Sequence, residues 1–82
     1  MDRLYYIGLD IHKKVIAYCI KSLDGHLIDQ GKIGADRQSL GVWLKSLPGP
    51  WVGAMEATMF TGWVYDFLKP YAVALKVAHT RN

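Results

Sequence analysis

The sequence predicts a mixed α/β sheet of five strands and two helices in the order β-β-β-α-β-α-β. Three observations carry that expectation. Short apolar and β-branched runs separated by turn residues fill the first third of the chain. Two later segments repeat their apolar residues at helical spacing, and each is followed by another strand-like run. Strands joined by short turns pair antiparallel, whereas helical crossovers join parallel strands, right-handed in nearly all cases. At 82 residues the chain has room for one small domain spanning 1–82.

Leu4 to Leu9 is a continuous apolar run that ends in Asp10. Such a run predicts a strand buried on both faces, central in its sheet. Val15 to Ile20, rich in β-branched and aromatic residues, predicts an antiparallel neighbour. Asp24-Gly25 marks a tight turn because both residues tolerate positive φ. The more polar Leu27 to Ile33 then forms a third strand near an edge. Asp36 is placed to cap a helix with its carboxylate. Leu40, Trp43, Leu44 and Leu47 share one face of that helix, and Pro48-Gly49-Pro50 stops it. Trp51 to Met55 predicts a fourth strand ending at Glu56. Phe60, Trp63, Val64, Phe67 and Leu68 predict a second helix from near Thr58 to just before Pro70, and Ala72 to Ala78 a fifth strand.

Composition narrows the function classes. A hydrophobic fraction of 51% with three Trp argues for a packed core rather than disorder. A formal charge of +3 is compatible with a polyanionic partner and is a weak pointer by itself. The single cysteine, Cys19, excludes an internal disulfide and a Cys-rich zinc site, and its apolar neighbours predict a buried small hydrophobe. No secretory leader and no apolar run of the roughly 20 residues a membrane helix needs is visible, so a soluble, cytoplasmic protein is expected. The chain stops at His79-Thr80-Arg81-Asn82, directly after a strand with no closing helix, and is expected to be a fragment of a longer protein.

The sharpest feature is the placement of two carboxylates. Asp10 ends the first strand, and Glu56, the only Glu in the chain, ends the fourth. If those strands are parallel neighbours, both carboxylates emerge at one edge, where open α/β sheets bind ligands. Oxygen ligands without His or Cys suit a hard cation, Mg²⁺ or Mn²⁺. Such a site can activate water or a 3′-hydroxyl at a phosphate. A plainer account also fits: Asp10 as a turn residue, and Glu56 at a helix start favoured by the dipole. His12, Lys13 and Lys14 follow Asp10 in the first hairpin, where they can contact phosphate or form a solvated turn. Thr58 and Thr61 flank the second helix start, where amides can hold a phosphate or the hydroxyls simply cap. His79 and Arg81 trail the last strand and carry little weight, and the helical aromatics Trp43, Trp63 and Phe67 read as core.

Two blocks resemble a known family. Tyr6-Ile7-Gly8-Leu9-Asp10-Ile11-His12-Lys13 and Met55-Glu56-Ala57-Thr58-Met59-Phe60-Thr61-Gly62-Trp63, with the later Leu75-Lys76-Val77-Ala78-His79, resemble DEDD transposases of the insertion-sequence 110 family. The resemblance spans essentially the whole chain. It implies an RNase H-like, RuvC-like fold, truncated here, and a recombinase acting on transposon DNA. It also implies an acidic Asp-Glu-Asp-Asp tetrad that binds divalent metal, with Asp10 matching the first member and Glu56 the second. The remaining two acids, a carboxy-terminal domain with a serine nucleophile and a guide RNA would belong to the rest of the intact protein. Met59 stands where the family usually has Gly, and Thr80 where it usually has Pro.

The expectation is therefore a piece of a metal-dependent DNA transposase, inactive by itself, that associates into a homo-oligomer. Two other classes compete. A non-catalytic nucleic-acid-binding or assembly module would bind DNA or RNA without metal or Asp10. A sugar-kinase-like ATPase lobe shares this topology, but its first hairpin is rich in Gly, Ser and Thr, whereas Ile11-His12-Lys13-Lys14 is bulky and cationic.

Overall fold

The computed structural model describes residues 4–78. The elements run β1 (Tyr5–Ile11), β2 (Val15–Lys21), β3 (Leu27–Gly34), α1 (Arg37–Lys45), β4 (Trp51–Glu56), α2 (Thr61–Leu68), a 3-10 turn (Lys69–Tyr71) and β5 (Ala74–Ala78). One five-stranded sheet has the order β3-β2-β1-β4-β5. β2 is antiparallel to β1 and to β3, while β4 is parallel to β1 and to β5. The chain thus leaves the β3 edge through α1, crosses β2 and β1, and adds β4 on the far side of β1. No helix among the described residues is long and apolar enough to cross a membrane.

A two-residue period decides which face is buried. Ile7, Leu9 and Ile11 of β1, Ile16 and Ile20 of β2, and Trp51 and Met55 of β4 form one cluster with Leu40 and Trp43 of α1 and Val64 and Leu68 of α2. Both helices therefore cover the same side of the sheet. Trp43 sits at its centre, tilted against Tyr18 at 5.4 Å and edge-on to Trp51 at 6.2 Å between ring centroids. Its buried Nε1 has no hydrogen-bond partner among the described residues, an omission that costs about 1–3 kcal/mol in a core. The Tyr18 hydroxyl donates to Asp29 at 3.2 Å. Burial, then that bond and the charge of Asp29, push the Tyr18 phenol above its ordinary range.

Four sequence expectations change. β1 was expected to be buried on both faces, yet Tyr6, Gly8 and Asp10 are exposed. The sheet face opposite the helices is open, and Cys19, expected to be buried, is half-buried on it. The second helix begins at Thr61 rather than near Thr58, because Thr58 is taken into a loop that bonds to Thr61. It ends as α-helix at Leu68, and Pro70 enters a 3-10 turn that delays β5 from Ala72 to Ala74. The α1 cap and the β2–β3 turn follow expectation, whereas α2 has no side-chain cap. Asp36 accepts from Ser39 N at the start of α1, and Gly25 takes the left-handed backbone (φ +87°) in the β2–β3 turn. His79, Thr80 and Arg81 lie outside the described residues.

Candidate metal and phosphate site

β1 is central, so its carboxyl end is flanked on one side by β2 and on the other by parallel β4. The β1–β4 register runs from Tyr5–Trp51 to Leu9–Met55. Asp10 and Glu56 are the next residue on each strand, one step past that last pair. Leu9 and Met55 point into the core, so by alternation the two carboxylates project from the open face. Neighbouring strands lie about 4.8 Å apart, so the acids are adjacent. Both line one depression of about 430 Å³, floored by Gly8, Ala17, Cys19, Ala54 and Ala78. The space exists because every floor residue on this face is small.

The first hairpin is tied down on both sides. His12 N donates to Val15 O at 3.0 Å, and Ala35 N donates to Lys14 O at 3.1 Å, anchoring its tip to the β3–α1 junction. The His12 ring lies on Asp10, with Nε2 3.0 Å from Oδ2 and both side chains more than half exposed. Lys13 and Lys14 are exposed at the tip. His12 thus meets the carboxylate directly, a contact that spacing alone did not predict.

The loop after Glu56 is closed by two threonines. Thr61 Oγ1 donates to Glu56 O at 3.0 Å and accepts from Thr58 N at 2.8 Å. The two hydroxyls lie 3.0 Å apart, and Phe60 N donates to Thr58 Oγ1 at 3.1 Å. Ala57 N donates to Ala78 O at 2.7 Å, joining the exit of β4 to β5. The Thr58 and Phe60 amides thus have partners inside the loop, and Phe60, at the N-cap of α2, makes no side-chain capping bond.

Three lysines that sequence reasoning did not single out share the open face. Lys21 pairs with Tyr6, Lys32 with Ala17 and Lys76 with Ala54 across neighbouring strands, and all three are exposed. Their period-two placement on half-apolar strands was the available signal. The face therefore carries two carboxylates at one end and cations around a small-residue floor.

Among the described residues no group of three or more His, Cys, Asp or Glu side chains is arranged to hold a metal. Two adjacent carboxylates at the mouth of an open depression nevertheless suit Mg²⁺, which keeps several waters and takes one or two protein carboxylates beside substrate phosphates. No protein-family model matches this sequence, and no curated protein matches it.

Proposed function

We propose that this chain is the amino-terminal part of an RNase H-like catalytic domain, and that the intact protein is a metal-dependent DNA transposase of the DEDD type. The observation that carries the reading is the pair of carboxylates, Asp10 and Glu56, side by side near the carboxyl ends of adjacent parallel strands over one depression. The motif resemblance around both residues supports it independently. Asp10 and Glu56 would hold Mg²⁺ or Mn²⁺, which when bound activates a water or 3′-hydroxyl at a phosphodiester and stabilises the leaving oxygen. His12 orients the Asp10 carboxylate. Lys13 and Lys14 meet transposon DNA phosphates from the hairpin tip, and Thr58 belongs to the loop that follows Glu56. A guide RNA as a further partner rests on resemblance alone. Residues 1–82 supply two of four acids, so the isolated chain is expected to bind metal weakly and to cut no DNA.

The test is a Mn²⁺ titration of the ¹⁵N-labelled chain. Selective paramagnetic broadening at Asp10, Ile11, Glu56 and Ala57, abolished in Asp10→Asn, is the expected result. Uniform broadening, or an unchanged pattern in the variant, refutes the site. A second reading draws on Lys21, Lys32 and Lys76: a non-catalytic module that binds nucleic acid through the open face. It requires salt-sensitive DNA or RNA binding that ignores both Mg²⁺ and Asp10→Asn.

A further inference from the structure

We infer that Thr61 is a positioning residue for the Glu56 carboxylate, acting through the main chain rather than by touching a ligand itself. This rests on the metal-site reading above. Glu56 is the last residue of β4: its ladder to β1 stops at Met55 and only the pairing with Ala78 of β5 continues, so the direction of the side chain depends on what fixes the following peptide. That peptide is gripped at both ends. Its carbonyl, Glu56 O, accepts from Thr61 Oγ1 at 3.0 Å, and its N–H, on Ala57, donates to Ala78 O at 2.7 Å.

The proton count around Thr61 is complete. A threonine hydroxyl offers one donor and two acceptor sites. The Thr61 proton goes to Glu56 O, so the 3.0 Å contact between hydroxyls has Thr58 as donor. Thr58 N fills the second acceptor site at 2.8 Å. Thr58 Oγ1, having given its proton, accepts from Phe60 N at 3.1 Å. No proton or lone pair of Thr61 is left for a cap or a ligand. Thr61 is also the one buried polar residue among those described, 5% exposed, and removing its hydroxyl strands two main-chain groups in a partly buried loop.

Such a lock matters because a metal site tolerates ligand displacements of only about 0.5 Å. Glu56 reaches the depression on a long side chain whose Cα must first be fixed. The neighbouring acid needs no equivalent, because Asp10 lies inside β1 with Ile11 still paired to Ile16.

The experiment is the Mn²⁺ titration on the whole chain, with wild type, Asp10→Asn, Thr61→Val and Thr61→Ser. Thr61→Val keeps shape and loses the hydroxyl; Thr61→Ser keeps the hydroxyl. The expected order is an apparent affinity lowered several-fold in Thr61→Val and restored to within twofold of wild type in Thr61→Ser. The loss should be accompanied by faster hydrogen exchange at Ala57 while core amides of β1 stay protected. Wild-type affinity in a folded Thr61→Val overturns the inference. If instead wild type and Asp10→Asn respond alike, the metal-site reading itself has failed. Should Thr61→Val not fold, Thr61→Cys keeps a side chain of similar size with a weaker donor to Glu56 O. A lowered affinity there supports the lock, and an unchanged one overturns it.

Discussion

Two glycines on adjacent strands are expected to respond to the same substitution with opposite sign. Gly53 of β4 points to the core, and a Cβ built there lies 2.6 Å from Trp51 Cζ3 and 2.8 Å from Leu75 Cδ1. Carbon atoms in good contact sit about 3.5–4.0 Å apart, so something must move by about 1 Å. Leu75 is half-buried and can yield. Trp51 is 3% exposed and set edge-on against Trp43, so it cannot without disturbing the centre of the core. Overpacking of this kind costs about 1–3 kcal/mol, offset by about 0.5–1 kcal/mol from removing a strand glycine. Gly53→Ala should therefore lose up to about 2.5 kcal/mol, centred on about 1 kcal/mol, out of roughly 0.05–0.15 kcal/mol per residue for the whole fold. Gly8 of β1 faces the open side, has nothing within 4 Å of its Cβ position, and lacks the positive φ that would strain alanine. Gly8→Ala should gain about 0.4–1 kcal/mol through the unfolded chain. Urea unfolding followed by tryptophan fluorescence reads both. With a slope of about 1 kcal/mol/M for so small a chain, the midpoint falls by about 1 M for Gly53→Ala and rises by about 0.5 M or more for Gly8→Ala. Equal shifts, or a Gly53→Ala midpoint at or above wild type, would refute the assignment of the two faces.

Three further expectations follow from named contacts. Asp36 accepts from Ser39 N at 2.7 Å and from Ser39 Oγ at 2.9 Å, so Asp36→Ala should cost about 1 kcal/mol, seen as a lower urea midpoint with helical signal lost first. The Tyr18 phenol is raised by burial and by its bond to Asp29, so the stability it contributes is complete below about pH 10 and is lost as pH rises through the higher folded value. Unfolding midpoints should fall more steeply in that alkaline range for wild type than for Tyr18→Phe, and parallel curves would contradict the coupling. The open sheet face, with Tyr6 44% exposed beside Gly8 and Ala54, is expected to drive self-association, read as a sedimentation coefficient that rises with concentration; a monomer at every concentration refutes it.

The sheet order was legible because local rules compound. Short turns dictated the antiparallel β1–β2–β3 meander, and the helical segments dictated parallel addition of β4 and β5. Asp10 and Glu56 could be placed at one edge only conditionally, since no spacing in the chain says which side of the meander β4 joins. The burial of β1 departs from the sequence expectation for a simple reason. Tyr6 and Gly8 count as apolar in a hydrophobic run, but neither needs a core, whereas Ile7, Leu9 and Ile11 do and alternate with them. Once aliphatic residues alone are followed, the two-residue period is present in the sequence.

What stayed illegible shares another cause. The start of α2 moved from Thr58 to Thr61 because a hydroxyl bonds to a carbonyl five residues earlier, and that contact has no periodic signature. The same bond decides how the Glu56 peptide is held. A threonine near a helix start invites the capping explanation first, but here the side chain that closes the loop belongs to the helix and reaches back to the strand. The helix boundary and the presentation of the carboxylate are therefore one structural event. A substitution that removes the Thr61 hydroxyl should change both together, whereas one that merely weakens α2 on its exposed side, such as Asp66→Gly, should lower helix stability and leave the end of β4 in place.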